Sequence, residues 1–454
     1  MATLDKLLVV GAGPVGLGIA NALKQHGVAY DQVDANPDLG GNWQDGVYES
    51  VHIVSSKRST AFRDYPMPAD YPDFPSAAQM LAYLKGFARD KGLDAHIAYN
   101  KRVVSAQPQP DESWIVTFED SEARHYKGVV IANGHHWDRK MPTFEGHFDG
   151  ELIHSKDYKS PEQLRGKRVL VIGAGNSGCD VACEAARVGA SCDLSLRGGY
   201  WFFPKTAFGR PLTDLPIWTL PIPLQRLILR GIIKVFIGDY RRYGLEKPTH
   251  KIFDRHPTFG TDLLNYLAQG RITPRKEIAR LDGKTVHFKD GSSGEFDMIV
   301  AATGFKYSFP FLPEGLVKVE NDVVQVYGGA FPEGIKNLYI VGASQPRGGF
   351  GHVLTPAADL YAQMIKLQDE IEHPIGSLLA WLDEKIPNSQ FLDPGQTFRQ
   401  LFVGRRMLWY LKWQGGRMAL KVPRTPSPSA VAADVAPSAE AADGVADKKP
   451  SIAA

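Results

Sequence analysis

The chain has 454 residues, 22% of them charged and nearly balanced at a net +2, so neither a nucleic-acid surface nor an acidic tail is indicated. That length suits two or three domains with an ample core. Three cysteines, an odd number with no C-x-x-C pair, argue against a disulfide framework or a thiolate metal site and fit a reducing, cytoplasmic compartment.

The first element is a short apolar run, Lys6-Leu-Leu-Val-Val10, of the kind that forms a buried parallel strand. It leads into Gly11, Gly13 and Gly16 in G-x-G-x-x-G spacing. The small and apolar Leu17-Gly-Ile-Ala-Asn-Ala-Leu23 that follows predicts a helix packed closely on a sheet. In such a unit the glycines permit a tight turn, let backbone amides approach a pyrophosphate, and let helix and strand pack. Because the opening strand starts the chain, a cleaved leader is not expected there. Asp34 stands where the second strand ends, the position that meets an adenosine ribose. A carboxylate there accepts from ribose hydroxyls and repels an extra phosphate.

Lys101 to Phe118 reads as a hairpin, and Gly128-Val-Val-Ile-Ala-Asn-Gly134 as another buried strand. The plan then repeats. Arg168-Val-Leu-Val-Ile172 precedes Gly173, Gly175 and Gly178, and a helical stretch from Cys179 to Arg187 follows. Here the ribose position carries Arg197, whose guanidinium suits a 2′-phosphate through charge-assisted contacts. One chain with an acid at one such site and a cation at the other points to two dinucleotides, FAD and NADPH. Cys179, Cys183 and Cys192 all fall in this second unit and read as small packing residues.

Leu215 to Gly238 is the nearest approach to a membrane-spanning run, but prolines and cations interrupt it. Within it, Leu224 to Ile237 predicts an amphipathic helix with a basic stripe at Arg226, Arg230 and Lys234. An Asp-Gly hairpin follows Lys284, and a return strand runs from Glu295 towards Phe305. Asn337-Leu-Tyr-Ile-Val-Gly342 predicts a strand rejoining the first unit, with a helix from about Pro356 to Glu370. From Phe398 to Arg424 there are seven basic residues and no acids, with five aromatics interleaved. Such a helix suits weak contact with an anionic membrane surface, or packing of its aromatic face on the protein. Beyond Pro423 the composition predicts a disordered tail.

These elements predict an α/β protein of two Rossmann-like dinucleotide-binding domains, the NADP domain inserted into the FAD domain. The first part of the FAD domain covers residues 1–160 and the NADP domain 165–300. Residues 301–422 form the second part of the FAD domain with C-terminal helices, and 423–454 the tail.

Phe148-Asp-Gly150-Glu-Leu-Ile-His154-Ser-Lys-Asp-Tyr158 matches F-x-G-x-x-x-H-x-x-x-Y between the two fingers. Gly40-Gly-Asn-Trp43, Ser55-Ser-Lys57, Phe62 to Pro68, Asp70-Tyr-Pro72, Gly244-Leu-Glu-Lys-Pro248, His256-Pro-Thr258 and Ala302-Thr-Gly-Phe305 accompany it. Together they resemble the class B flavin-containing monooxygenases over roughly residues 5 to 365. The resemblance implies an NADPH- and O2-dependent enzyme that oxygenates an amine nitrogen or sulfide sulfur of a small molecule through a C4a-hydroperoxyflavin. The chemistry is the cofactor's, with no metal and no nucleic acid involved. It implies an FAD set of Gly11, Gly13, Gly16, Asp34, Asn42, Trp43, Ser55, Val103, Gly342 and Gln345. The NADP set is Gly173, Gly175, Asn176, Ser177, Gly178, Arg197, Thr303 and Gly304.

By the same resemblance, His154 and Tyr158 shape the linker, His154 as a hydrogen-bonded structural histidine. Tyr158 favours heteroatom oxidation, since Baeyer–Villiger relatives usually carry tryptophan there. Against this, Val54 stands where many heteroatom-oxidising members have asparagine, and Ser55 or Gln345 is the candidate substitute. Two alternatives therefore stay open: Baeyer–Villiger oxidation of small ketones, and an NADPH-dependent electron-transfer flavoprotein reductase, which would want a C-x-x-C. A homodimer also stays open.

Overall fold

The computed structural model describes residues 4–418. Leu7–Val10 is buried on both faces, as its unbroken apolar run demands, and sits at the centre of a seven-stranded sheet. Its parallel members run Ile97–Ala98, Tyr30–Val33, Leu4–Val10, Ala123–Ile131 and Leu338–Ile340. The early residues of Ala123–Ile131 pair antiparallel with Trp114–Phe118, which pairs in turn with Val103–Pro108. The first finger opens into the helix Pro14–Gln25, with proline at its start. That helix joins the long helix Gly351–Gln368 in one core, through Ile19 and Leu23 on one side and Ala358 and Ile365 on the other.

The second sheet has five parallel strands in the order Thr273–Arg275, Ser191–Ser195, Arg168–Ile172, Met298–Ala301 and Glu151–His154. A four-stranded sheet covers part of it: Glu145–Phe148, Ile278–Gly283, Thr285–Phe288 and Ser293–Glu295. Phe148, Leu281, Phe288 and Phe296 fill the space towards Leu170 and Ile299.

Glu145–Phe148 and Glu151–His154, within the 1–160 span expected for the first domain, thus pair with strands of the second unit. The outward crossing is at Asp138–Arg139, some twenty residues before position 160, and it pairs antiparallel with the returning Phe305–Lys306. The two connections form one ribbon. The helix expected from Pro356 begins earlier, at Gly351, with Pro356 inside it. The proline lacks the N–H that would reach back to residue 352, and the neighbouring Thr355 hydroxyl donates to the Gly351 carbonyl at 3.4 Å.

The amphipathic stretch forms the helix Ile222–Phe236, which buries Leu229, Ile232 and Ile233. The C-terminal helix is Pro394–Met418. It packs by aliphatic residues rather than by its aromatic face: Leu401 and Leu411 join the core with Leu360 and Ile365. Phe402, Trp409 and Trp413 remain 59%, 72% and 46% exposed, so the aromatic packing expected of this segment is not what holds it. No helix among the described residues is long and apolar enough to cross a membrane. The tail from residue 423 lies outside the described residues.

Candidate functional site

Each glycine finger lies at the carboxyl end of its sheet, where a helix starts and ligands of open α/β sheets bind. Gly11 adopts φ +109°, and a Cβ there would come within 2.4 Å of the Ala132 carbonyl oxygen. Gly173 repeats this, with φ +96° and 2.7 Å to the Ala302 oxygen. A side chain on Gly16 or Gly178 would strike the carbonyl of Gly11 or Gly173, so helix and strand touch there.

The middle glycines differ. Gly13 and Gly175 cap their helices in extended conformation with no side-chain cap, and neither helix has an acid in its first turn. Nothing lies within 4 Å of a Cβ built on Gly175. A Cβ on Gly13 would meet the Gly41 Cα at 3.6 Å, an ordinary contact. Uncapped amides at two helix N-termini fit two pyrophosphates.

Asp34 is buried at the end of the strand Tyr30–Val33. Its carboxylate accepts from the Ala12 amide at 2.6 Å and from the Asn36 amide at 2.8 Å, which leaves lone pairs for ribose hydroxyls. Burial pushes its pKa up, against the pull of those two amides. Lys101, two residues before the buried Val103, donates its amide to the Asp34 carbonyl at 2.8 Å. The Gly40 amide donates to the Ala12 carbonyl at 3.0 Å, bringing Asn42 and Trp43 against the finger. Gly342 abuts Val15, where a Cβ would lie 2.9 Å from a methyl. The Ser55 hydroxyl is engaged with Thr60 at 2.7 Å, and Val54 packs towards the second unit's core.

Arg197 is exposed just past Ser191–Ser195, and no ion pair holds it among the described residues. The Asn176 side-chain oxygen accepts from the Phe259 amide at 2.9 Å, tying the second finger to the His256-Pro-Thr258 segment. The Thr303 hydroxyl donates to the Lys140 carbonyl at 2.6 Å, and Gly304 accepts from the Lys140 amide at 3.0 Å. These two residues therefore sit on the crossing ribbon.

His154 is wholly buried. Its Nε2 lies 2.9 Å from the Gly304 carbonyl, and its Nδ1 accepts from the Lys156 amide at 3.0 Å. One nitrogen donates and the other accepts, which specifies a neutral ring, and burial holds its pKa below the ordinary histidine value. Tyr158 is also fully buried and donates to Glu184, so it faces no substrate.

His135, His136, Tyr307 and Lys156 at the junction escape motif reading, whereas Gln345 beside them was expected there. Gln345 Nε2 lies 2.6 Å from His135 Nε2 and 3.2 Å from His136 Nε2. His135 stacks on Tyr307, and His136 and His154 both lie against Phe305. Lys156 donates to the Asn42 side-chain oxygen at 2.6 Å, and burial lowers its pKa to about 8. The adjacent histidines were visible in the sequence, but nothing there tied them to a glutamine 209 residues away. The three cysteines are free and buried, and burial pushes Cys183 up to about 12. No group of three or more metal-ligating side chains occurs among the described residues.

Residues 4–370 match the family described as flavin-binding monooxygenase-like. The chain is 32% identical to flavin-containing monooxygenase 5 of Oryctolagus cuniculus, over 80% of this chain and 73% of that one. It is also 32% identical to the N-oxide-forming dimethylaniline monooxygenase 2 of Macaca mulatta, over 79% and 72%. Among solved structures, a flavin-containing monooxygenase from Stenotrophomonas maltophilia superposes with TM-score 0.61 at 22% identity, covering 80% of this chain and 98% of that one. An open cyclohexanone monooxygenase superposes with TM-score 0.70 at 18% identity, covering 91% and 99%.

Proposed function

The chain belongs to the flavin-binding monooxygenase-like family, and on that premise we propose how its two crevices divide the work of an FAD-containing, NADPH-dependent monooxygenase. The enzyme oxygenates a soft nucleophile, an amine nitrogen or a sulfide sulfur, of a small molecule. The flavin supplies the redox chemistry: two electrons pass from NADPH to O2, one oxygen atom goes to the substrate heteroatom, and the other leaves as water.

What the protein contributes is binding and exclusion. Asp34 takes the ribose of FAD, and the uncapped amides at Gly13 take its pyrophosphate. The amides at Gly175 take the pyrophosphate of NADPH, and Arg197 takes its 2′-phosphate. Gln345, whose carboxamide the two histidines hold, supplies at the junction the amide that Val54 cannot. The observation that carries this division is the contrast at the ribose positions: a buried carboxylate braced by the Ala12 and Asn36 amides in one unit, a guanidinium with no ion pair among the described residues in the other.

Stopped-flow reduction by NADPH, followed by product analysis with thioanisole and with a cyclic ketone, tests the function. Sulfoxide formation supports heteroatom oxygenation. Ester from the ketone, with the sulfide untouched, would move the enzyme to Baeyer–Villiger chemistry. A reductase passing electrons through a dithiol finds no support, because the three thiols are buried and free. Those reduced thiols favour a cytoplasmic enzyme.

We also propose that the exposed Phe402, Trp409 and Trp413 let the acid-free C-terminal helix rest weakly on anionic lipid. Co-sedimentation with phosphatidylserine vesicles that is unchanged in a Trp409→Ser, Trp413→Ser variant would exclude this contact.

A further inference from the structure

Asp180 and Glu184 lie one turn apart on the helix Asn176–Val188, whose N-terminus is the second finger. Neither has a salt bridge among the described residues; hydroxyls from elsewhere in the chain reach them instead. Glu184 is buried, and its two carboxylate oxygens accept from the hydroxyls of Tyr158 and Ser50. Asp180 accepts from the Tyr48 hydroxyl at 2.7 Å. The rings of Tyr48 and Tyr158 meet at 5.6 Å, and the backbone of Glu49 donates to the Lys159 carbonyl at 2.9 Å. Tyr48 and Ser50 come from the first domain, between the short helices Asn42–Asp45 and Lys57–Thr60, and Tyr158 from the linker motif. Three hydroxyls from two distant segments thus converge on one face of the finger helix; the rings of Tyr48 and Tyr158 lie in the core with Val181 and Ala185, and Ser50 closes the cluster from the surface.

This arrangement is more specific than packing requires. Lys205 and Arg187 act on these carboxylates only from beyond ion-pair distance. A buried carboxylate without a close ion pair is costly unless its lone pairs are satisfied, and an apolar residue would fill the same space. What the hydroxyls add is direction. They fix the rotation and the axial position of the helix against the first domain, and the amides at the tip of that helix face the open crevice at Gly175.

We propose that Glu184 and Asp180 are positioning residues, which hold the second finger in register with the first domain, and that the motif tyrosine Tyr158 acts through Glu184 rather than on any reactant. The inference rests on the reading that the second finger binds NADPH. The clasp sets how far the nicotinamide lies from the flavin, so it governs hydride transfer more than affinity. A misplacement on the order of 1 Å costs roughly a hundredfold in such a step.

The test compares Tyr158→Phe, Glu184→Leu and Glu184→Gln in the full-length flavoprotein. Three readouts apply: flavin reduction by NADPH without oxygen, the Kd for NADP+, and amide hydrogen exchange across residues 176–188 in the protein free of nicotinamide. Tyr158→Phe keeps the ring and should fold. It should slow reduction at saturating NADPH roughly tenfold or more, with Kd changed by about threefold at most, and speed exchange in the helix. Glu184→Gln keeps an acceptor for Tyr158 and should recover most of the rate, whereas Glu184→Leu should not. Unchanged reduction and exchange in both Tyr158→Phe and Glu184→Leu would overturn the proposal, leaving the cluster as plain packing. If the unaltered protein is not reduced by NADPH at all, it is the underlying reading that fails.

Discussion

Two side chains show how much a single residue decides here. Arg197 is exposed, it follows the strand Ser191–Ser195, and no acid pairs with it among the described residues. Arg197→Ala should raise the Kd for NADPH roughly ten- to hundredfold, the worth of a charge-assisted phosphate contact, and leave NADH binding within about twofold. Equal losses for both nucleotides in a binding titration would remove the assignment. His154 makes the opposite case, a residue busy on both nitrogens. Its neutral form fits between the Gly304 carbonyl and the Lys156 amide, and its folded pKa lies below the unfolded value. As pH falls below about 6.5, the unfolded chain therefore binds a proton that the folded chain refuses, and stability declines. The loss from this ring is at most about 1.4 kcal/mol per pH unit. Denaturant titrations between pH 7.5 and 5.5 should show a shallower decline in His154→Gln, whose amide can also donate and accept. A slope unchanged by the substitution would assign the decline to other groups.

At the scale of elements, the finger glycines were legible because each answers a local demand, and the demands differ along one finger. Gly173→Ala puts a Cβ at positive φ and 2.7 Å from a carbonyl oxygen, and should destabilise the apoprotein by about 1–3 kcal/mol. Gly175→Ala, at φ −68° with open space around it, should melt as the parent does and lose NADPH affinity alone, because its methyl occupies the phosphate's place. Parallel thermal melts and NADP+ titrations of the two variants check this; an apoprotein melting lower in Gly175→Ala would count against it. Strands and helices with a strong apolar run or a glycine signal were read correctly for the same local reason. The edge strands Glu145–Phe148 and Glu151–His154 were not. They are polar and short, and only pairing with residues about 135 to 150 positions later makes them strands of the second unit. The start of the Gly351–Gln368 helix was hidden by Pro356, which reads as a helix opening but sits inside one. The clasp of Tyr48, Ser50, Asp180 and Glu184 has no periodicity at all, since it joins a loop to a helix face across some 130 residues.

For the whole molecule the question is whether two nested domains behave as two bodies. Interfaces between domains of one chain are usually modest and polar, and relative motion is the default expectation. The junction here is built differently. Tyr48 lies in the second unit's core among Val181, Ala182 and Ala185, with Val51 and Val54 packed against it. The Ser56 amide donates to the Thr213 hydroxyl at 2.9 Å, and the Ser56 hydroxyl to Asp214. The ring centre of Phe253, in the second unit, lies 4.0 Å from the guanidinium of Arg347, which pairs with Asp393 at a site almost closed to solvent. Separating the domains would expose the aromatic and aliphatic groups and strand buried partners, at about 1–3 kcal/mol for each unsatisfied polar group. Neither domain can then unfold while the other stays intact. The FAD-loaded protein should therefore melt in one calorimetric transition, with a ratio of calorimetric to van't Hoff enthalpy near one and flavin fluorescence released at the same midpoint. Saturating NADP+, bound on the proposed reading at the second finger alone, should raise that shared midpoint rather than split it, because ligand binding to the native state stabilises whatever unfolds with it. Two resolved transitions, only the later one moved by NADP+, would mean that the domains are held together by the Asp138–Arg139 and Phe305–Lys306 ribbon and little else.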